Sequence, residues 1–411
     1  MQHRIIVLGA GYTGAIAAGR LAKRLHHDDV AITLVNAEPD FVERVRMHQL
    51  AVGQDLRPRP LSEMFEGTGV ELRIAKVTGV DADRKTVTVV EQGSGAERAG
   101  GAEEHGDAEQ LPYDTLVYAL GSRWNDQGVA GTAEHAHQIA SRPGALRLRE
   151  RLAGLDAGQP VVVVGAGLTG VEAATELAEA RPDLAVSLVA RGGLGDWLSV
   201  KGRSHLHKVV GKLGITVHEH AAVTGVEADR VTTADGPAIP AAVTVWTTGF
   251  AVHPIAQATT LEITGTGQIV VDRTMRSLSH PDVYVVGDAA MAMGPGDKPL
   301  RMSCASGTPA AWQAADAIAA RLTGGKLPNM TVRYYNQCIS LGRREGLIQY
   351  VTADDRAVDA ALTGRLAAVY KELICKGAAW GVANPTLGLP ARRRHVVGEA
   401  ARAGAAEKAA A

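Results

Sequence analysis

Two glycine clusters of one form, Gly-Ala-Gly-Tyr-Thr-Gly at residues 9–14 and Gly-Ala-Gly-Leu-Thr-Gly at residues 165–170, carry the residue types and spacing best suited to chemistry in this chain. In a GxGxxG cluster the first glycine makes a tight turn, the second lets the backbone close on a pyrophosphate, and the third lets helix and strand pack. Gly9, Gly11 and Gly14 take these places in the first cluster and Gly165, Gly167 and Gly170 in the second, with Ala10, Tyr12, Thr13, Leu168 and Thr169 between them. Ile5, Ile6, Val7 and Leu8 lead into the first, Val161, Val162, Val163 and Val164 into the second, and an alanine-rich amphipathic stretch follows each. Each context reads as strand, turn and helix, so a pyrophosphate would meet unpaired N–H groups at the positive end of a helix. A lone GxGxxG also arises in ordinary tight turns, whereas two in full context predict two bound dinucleotides. The alternative is a pair of packing turns in a nucleotide-free sheet.

The elements that position these turns can be followed along the chain. At 411 residues and 46% hydrophobic content it can bury more than one core, which suggests two or three units. The runs at 72–76 and 86–90 read as strands, and residues 92–110, rich in Gly, Ala, Glu and Asp, read as a solvated hairpin insertion. Residues 111–122 return to a buried strand ending in glycine. After the second cluster come a helix at 170–179, a strand at 185–189, a further helix, a strand near 215–218 and the run VTVWTTG at 243–249, repeating the first unit as an internal duplication. DVYVVGDAA at 282–290 is a strand running into Gly287 and Asp288, followed by a helix over 310–322.

Composition narrows the function classes. The formal net charge is −1 and basic residues are scattered apart from Arg392, Arg393 and Arg394, so nothing favours nucleic acid. The first strand begins almost at Met1 and no apolar run reaches the about 20 residues of a membrane span, so a cytoplasmic location is expected. Cys304, Cys338 and Cys375 are too few and too unevenly placed for a disulfide framework and are expected as reduced thiols. No set of metal ligands is assigned.

The order GAGYTG, YALGS, GAGLTGVE, WTTGF and VYVVGDAA resembles the two-dinucleotide flavoproteins of the pyridine nucleotide-disulfide oxidoreductase fold, and within them most of all the type II NADH dehydrogenases. The resemblance covers roughly residues 1–330. It implies an α/β fold with two Rossmann-like domains, an FAD domain interrupted by an NAD(P)H domain, plus a small C-terminal region. The corresponding ranges are 1–122 and 249–330 for FAD, 123–248 for NAD(P)H, and 331–411 for the C-terminal interface or membrane-surface region. It also implies that the first cluster holds FAD together with Gly121 and Gly249, that Gly287 and Asp288 return to the flavin, and that Ser303 and Cys304 offer backbone N–H groups to its pyrimidine side. Asp288 would accept ribityl hydroxyls, a role compatible with capping a helix. The acid that usually binds the adenosine ribose is replaced by Asn36, with Glu38 close by; Arg44 matches a position supporting the adenosine end, and Val77 a backbone contact.

In the second unit Ala190 fills the acidic position and Arg191 follows it. An acid there bonds a 2′-hydroxyl and repels a 2′-phosphate, while a guanidinium does the reverse, so NADPH is expected over NADH. The alternative leaves Arg191 merely exposed. Glu172, on the first helical turn, matches a carboxylate that faces the meeting point of flavin and nicotinamide; it could orient the nicotinamide or relay a proton if desolvation raises its pKa, or simply favour a helix start.

The acceptor is less legible. No CxxxxC pair follows the early motifs, which argues against a dithiol relay. The AQxAxQ-like segment at which type II enzymes meet quinone is replaced by MSCASGTPAAWQAAD at 302–316, with only Gln313 retained further along. The expected function is hydride transfer from NAD(P)H to flavin, then electrons to a quinone or other small acceptor. The rivals are a nicotinamide-independent flavoprotein oxidising a small substrate such as sulfide, and a flavin redox sensor. Residues 364–381 form an amphipathic stretch with Lys371 and Lys376 among Leu366, Tyr370, Leu373 and Trp380. Core packing or a homodimer interface accounts for it equally well, and peripheral contact with the cytoplasmic membrane face comes second.

Overall fold

The two aliphatic runs become central strands of two sheets, the first parallel around its run with an antiparallel edge and the second parallel throughout, in the computed structural model, which describes residues 1–91, 107–389 and 391–398. The first opens with β1 (His3–Leu8), α1 (Tyr12–Arg24), β2 (Val30–Asn36) and the short helix α2 (Met47–Ala51), followed by β3 (Val70–Asp81), β4 (Thr86–Glu91), β5 (Ala108–Pro112) and β6 (Thr115–Tyr118). Ile5, Val7 and Leu8 are fully buried, as are Leu116 and Val117 of the neighbouring strand. Such unbroken aliphatic sequence is what a parallel strand covered on both faces requires.

The second sheet takes β7 (Ala136–Gln138), β8 (Pro160–Val164), β9 (Ala185–Val189), β10 (Thr216–His218) and β11 (Val243–Trp246), in the order β10-β9-β8-β11-β7 and parallel throughout. α3 (Arg142–Ala153) and α4 (Leu168–Ala180) cover it, and α2 packs on both, so a helix from the first module lies against the second. The chain then returns: β12 (Val283–Val285) pairs with β6, and the first sheet reads β12-β6-β1-β2-β3-β4-β5. α5 (Cys304–Thr323) lies along α1.

Residues 92–106 of the expected insertion lie outside the described residues; its flanks pair antiparallel, Val90 opposite Ala108. α5 begins six residues before the expected 310 and carries Pro309 inside it, where the ring removes the i→i−4 bond to the Ala305 carbonyl. The last part of the chain forms a three-stranded antiparallel sheet, β13 (Asn336–Ser340), β14 (Gly346–Val351) and β15 (Ala357–Thr363), followed by α6 (Arg365–Ala383), which packs on α1 and on this sheet. Among the described residues no helix is long and apolar enough to cross a membrane.

Candidate functional site

The glycine clusters divide their labour sterically. Gly9 has φ +92° and a Cβ there would lie 2.5 Å from the Ala119 carbonyl oxygen; one on Gly14 would lie 1.8 Å from the Gly9 oxygen. Gly165, at φ +106°, and Gly170 repeat this, their Cβ positions 2.9 Å from Thr247 Oγ1 and 1.6 Å from the Gly165 oxygen. Gly11 and Gly167 face open space with nothing within 4 Å of a Cβ. Each is the N-cap residue of its helix, α1 or α4, and no side chain caps either. First-turn N–H groups beside an open face suit an anion at both places.

The other residues expected at the FAD site gather round the first cluster. A Cβ on Gly287 would meet Thr13 Oγ1 at 2.8 Å, so the Gly-Asp turn closes on the start of α1. Asp288 caps no helix: its Oδ2 accepts from Ser122 Oγ at 2.6 Å and stands 3.7 Å from Arg44 Nη1. Arg44 donates to the Ser122 carbonyl at 2.8 Å and lies 4.9 Å above the Phe250 ring, which puts its head beside Asp288 rather than at the end of β2. Burial pulls its guanidinium below the ordinary value, Asp288 opposing, and Nη2 is buried with no hydrogen-bond partner. An unsatisfied cation beside a carboxylate and an open helix N-terminus fits a hydroxylated, phosphate-bearing group such as FAD.

Several expected contacts are already engaged. Asn36 Oδ1 accepts from the Ala10 N–H at 2.8 Å, and its amide donates to the Glu38 carbonyl at 2.7 Å, so Asn36 closes the first cluster and removes Ala10 from the free donors. Tyr12 is 7% exposed and turned into the core, edge-on to Phe41, leaving only its backbone for a cofactor. Val77 pairs with Val89 beside a bulge in the β3–β4 ladder. Gly121 follows β6 and Gly249 follows β11. Ser303 is the N-cap residue of α5 without a side-chain cap bond, and Cys304 begins the helix. Gln313 is buried and donates to the Arg273 carbonyl, so it does not face an acceptor.

In the second module Ala190 is buried at the end of β9, while Arg191 is exposed and makes no ion pair or hydrogen bond among the described residues. Glu172 is buried. Its Oε1 accepts from the Ser340 N–H at 3.0 Å and Oγ at 3.2 Å, and Lys371 Nζ of α6 lies 2.9 Å away while also donating to the Cys338 carbonyl at 3.0 Å. Burial pushes Glu172 up, but the Lys371 charge, helped by His48 and Ser340, outweighs it and the carboxyl sits below its ordinary value. Burial likewise pulls Lys371 down, and Glu172 more than reverses it. The condition for a proton relay, a raised Glu172 pKa, is therefore not met: the residue is an ionised partner in a buried pair.

Two neighbours were not singled out from sequence. Glu176, one turn beyond Glu172, is 1% exposed, accepts from Gln54 Nε2 on Oε1 and has no partner on Oε2; burial raises its pKa to about 7. His48, on α2, is buried with Nε2 unpartnered and is lowered to about 4, again by burial. The i, i+4 spacing of the two glutamates on an alanine-rich helix is the signal that could have marked Glu176. The cysteines are free thiols held up by burial, Cys304 at about 12 and Cys338 at about 11, and Cys375 is also raised. None is a ready thiolate.

Comparison with known proteins defines the class. The family model of pyridine nucleotide-disulphide oxidoreductases matches residues 3–319, and the chain belongs to that family. It is an oxidoreductase of a family that implies FAD and a nicotinamide nucleotide. It is 28% identical over 365 residues to an NADH dehydrogenase-like protein of Mycobacterium tuberculosis, covering 82% of this chain and 86% of that protein. It is 26% identical over 337 residues to a type II NADH:quinone oxidoreductase of the same species, covering 71% and 67%. Among solved structures, the sulfide:quinone oxidoreductase of Aquifex aeolicus superposes with a TM-score of 0.74 at 19% identity, over 97% of this chain and 98% of that one, a likeness of fold.

Proposed function

We propose that this protein oxidises NADPH in preference to NADH with FAD, and passes the electrons to a quinone-like acceptor near a membrane surface. The observation that supports it most is the pair of uncapped helix N-termini, each with its middle glycine open, in a chain where the Gly287–Asp288 turn closes on only the first. That asymmetry suits one resident flavin nucleotide and one exchangeable nicotinamide nucleotide. Bound FAD supplies an isoalloxazine that accepts a hydride and gives up electrons.

The residues divide the remaining work. Gly167, Leu168 and Thr169 present the backbone of the α4 start to a pyrophosphate, and exposed Arg191 is free to pair with a 2′-phosphate. Gly11, Thr13, Asp288 and Arg44 would hold FAD, Asp288 as acceptor for hydroxyls and Arg44 as donor. Glu172 acts as a charged positioning group: through Ser340 and Lys371 it ties the second module to the C-terminal sheet and α6.

The acceptor side draws support from α6. Lys371 points inward to Glu172, and the outward face shows Leu366, Val369, Leu373, Ile374 and Trp380, each at least 46% exposed. A helix that turns its apolar face outward suits the surface of a bilayer, where quinones reside. The sulfide reading needs a nucleophilic thiolate, and burial holds all three thiols protonated at neutral pH. Steady-state assays with NADPH, NADH or sulfide as donor and a short-chain quinone as acceptor test the proposal. Turnover with a nicotinamide and none with sulfide is expected; turnover with sulfide alone would overturn it.

A further inference from the structure

The turn that joins α1 to β2 reads His26-His27-Asp28-Asp29 and takes no part in the proposed redox site. His26 Nδ1 stands 3.3 Å from Asp28 Oδ2 and His27 Nε2 stands 3.3 Å from Asp28 Oδ1. One ligand atom from each of the three residues lies within 4.8 Å of the others. Four ligands arranged tetrahedrally at about 2.0 Å from a zinc ion are separated by about 3.3 Å; each imidazole nitrogen already stands at that spacing from one of the two Asp28 oxygens, and the wider spread of the three ligand atoms, within 4.8 Å, has to close as an ion draws the rings in. His26 Nδ1 is buried yet has no hydrogen-bond partner, although a carboxylate oxygen is this close. In the tautomer protonated on Nε2, this buried, unpartnered nitrogen offers its lone pair to a cation. The outer side remains open, the side chains of His27 and Asp28 being 64% and 68% exposed.

A second set of contacts orients these ligands and ties them to the end of the chain. The His26 ring stacks on His27 at 4.7 Å and on His395 at 4.1 Å. Asp29 Oδ2 accepts from the Val396 N–H at 2.9 Å and lies 2.9 Å from His395 Nδ1. The His26 N–H donates to the Arg394 carbonyl at 3.0 Å, and the Arg394 N–H to that of Arg24 at 2.9 Å. Residues 394–396 are thus seated directly on the turn.

We propose that His26, His27 and Asp28 bind one divalent transition metal of borderline softness, Zn2+ first among them, with water completing the shell, and that occupancy tightens the seating of residues 394–396 through the His26–His395 stack. Imidazole donors favour this class over Mg2+ and Ca2+, which take oxygen ligands. The site lies at the far end of α1 from Gly11, about 20 Å away at 1.5 Å per residue over the 13 residues of the helix, so its variants leave turnover unchanged.

The test uses tag-free, FAD-loaded full-length protein stripped with a chelator, titrated with Zn2+ in competition with a chromophoric chelator. One equivalent per chain is expected, with Asp28→Asn and His27→Ala each weakening the affinity by at least about tenfold at unchanged turnover. Hydrogen exchange of residues 394–396 should slow on adding Zn2+ to the wild type and not to Asp28→Asn. No stoichiometric binding, or affinity kept within threefold in both variants, overturns the site. Binding with unchanged exchange overturns its link to the tail.

Discussion

At the scale of single residues, Arg191 and Glu176 carry the sharpest expectations. A charge-assisted bond from Arg191 to a 2′-phosphate contributes about 1.5 to 3 kcal/mol, so Arg191→Ala should weaken NADPH by about one to two decades and leave NADH unchanged. Competition binding with the two reduced nucleotides measures this directly, and an equal effect on both would remove Arg191 from the phosphate. Glu176 has a folded-state pKa of about 7 against an ordinary 4.5, so between these values the folded protein keeps a proton that the unfolded chain has lost. Its contribution is therefore full below the ordinary value and is lost as pH rises through about 7. Glu176→Gln should gain stability over the wild type as pH climbs from 5 to 8, approaching about 3 kcal/mol, and denaturant melts across that range would show a flat difference if Glu176 were already ionised. The glycine roles were legible because backbone geometry dictates residue type there. The ionisation of Glu172 was not, since its partner Lys371 lies 199 positions further along the chain and no local pattern reports it.

At the scale of elements, the contact between α4 and α6 joins the second module to the C-terminal part. Lys371 pairs with Glu172, and the next residue of α6, Glu372, accepts from both Nη atoms of Arg46, at 3.1 and 2.9 Å. Removing one partner of a buried pair strands the other, so Lys371→Met should cost about 3 to 5 kcal/mol, and adding Glu172→Gln should recover a large part of it. A double-mutant cycle by chemical denaturation reads the coupling; additive losses would mean the pair does not act as one. Strands β1 and β8 and the helices after them could be placed from sequence because aliphatic run, glycine turn and alanine-rich stretch agree there. The C-terminal sheet could not, because its strands are short, mixed in polarity and paired antiparallel through contacts the sequence does not mark. Which of the two lysines of α6 pairs inside the protein was not legible either, because Lys371 finds its partner Glu172 on a distant helix.

At the scale of the whole molecule, the proposed function pairs a donor at the second glycine cluster with an acceptor reached at the outward apolar face of α6, and that face is what a membrane test addresses. Leu373→Ser combined with Trp380→Ser should abolish co-flotation with anionic liposomes, while folding stability stays within about 0.5 kcal/mol because both side chains are exposed. Unchanged flotation would place the membrane contact elsewhere, and no flotation of the wild type would remove it. The most direct test of the redox account is anaerobic stopped-flow mixing of the FAD-loaded protein with NADPH and, separately, NADH, followed at the flavin absorbance. The account predicts fast bleaching by both with NADPH ahead, and loss of that lead in Arg191→Ala. Absence of bleaching by either nucleotide would contradict it, leaving the second glycine cluster without a donor.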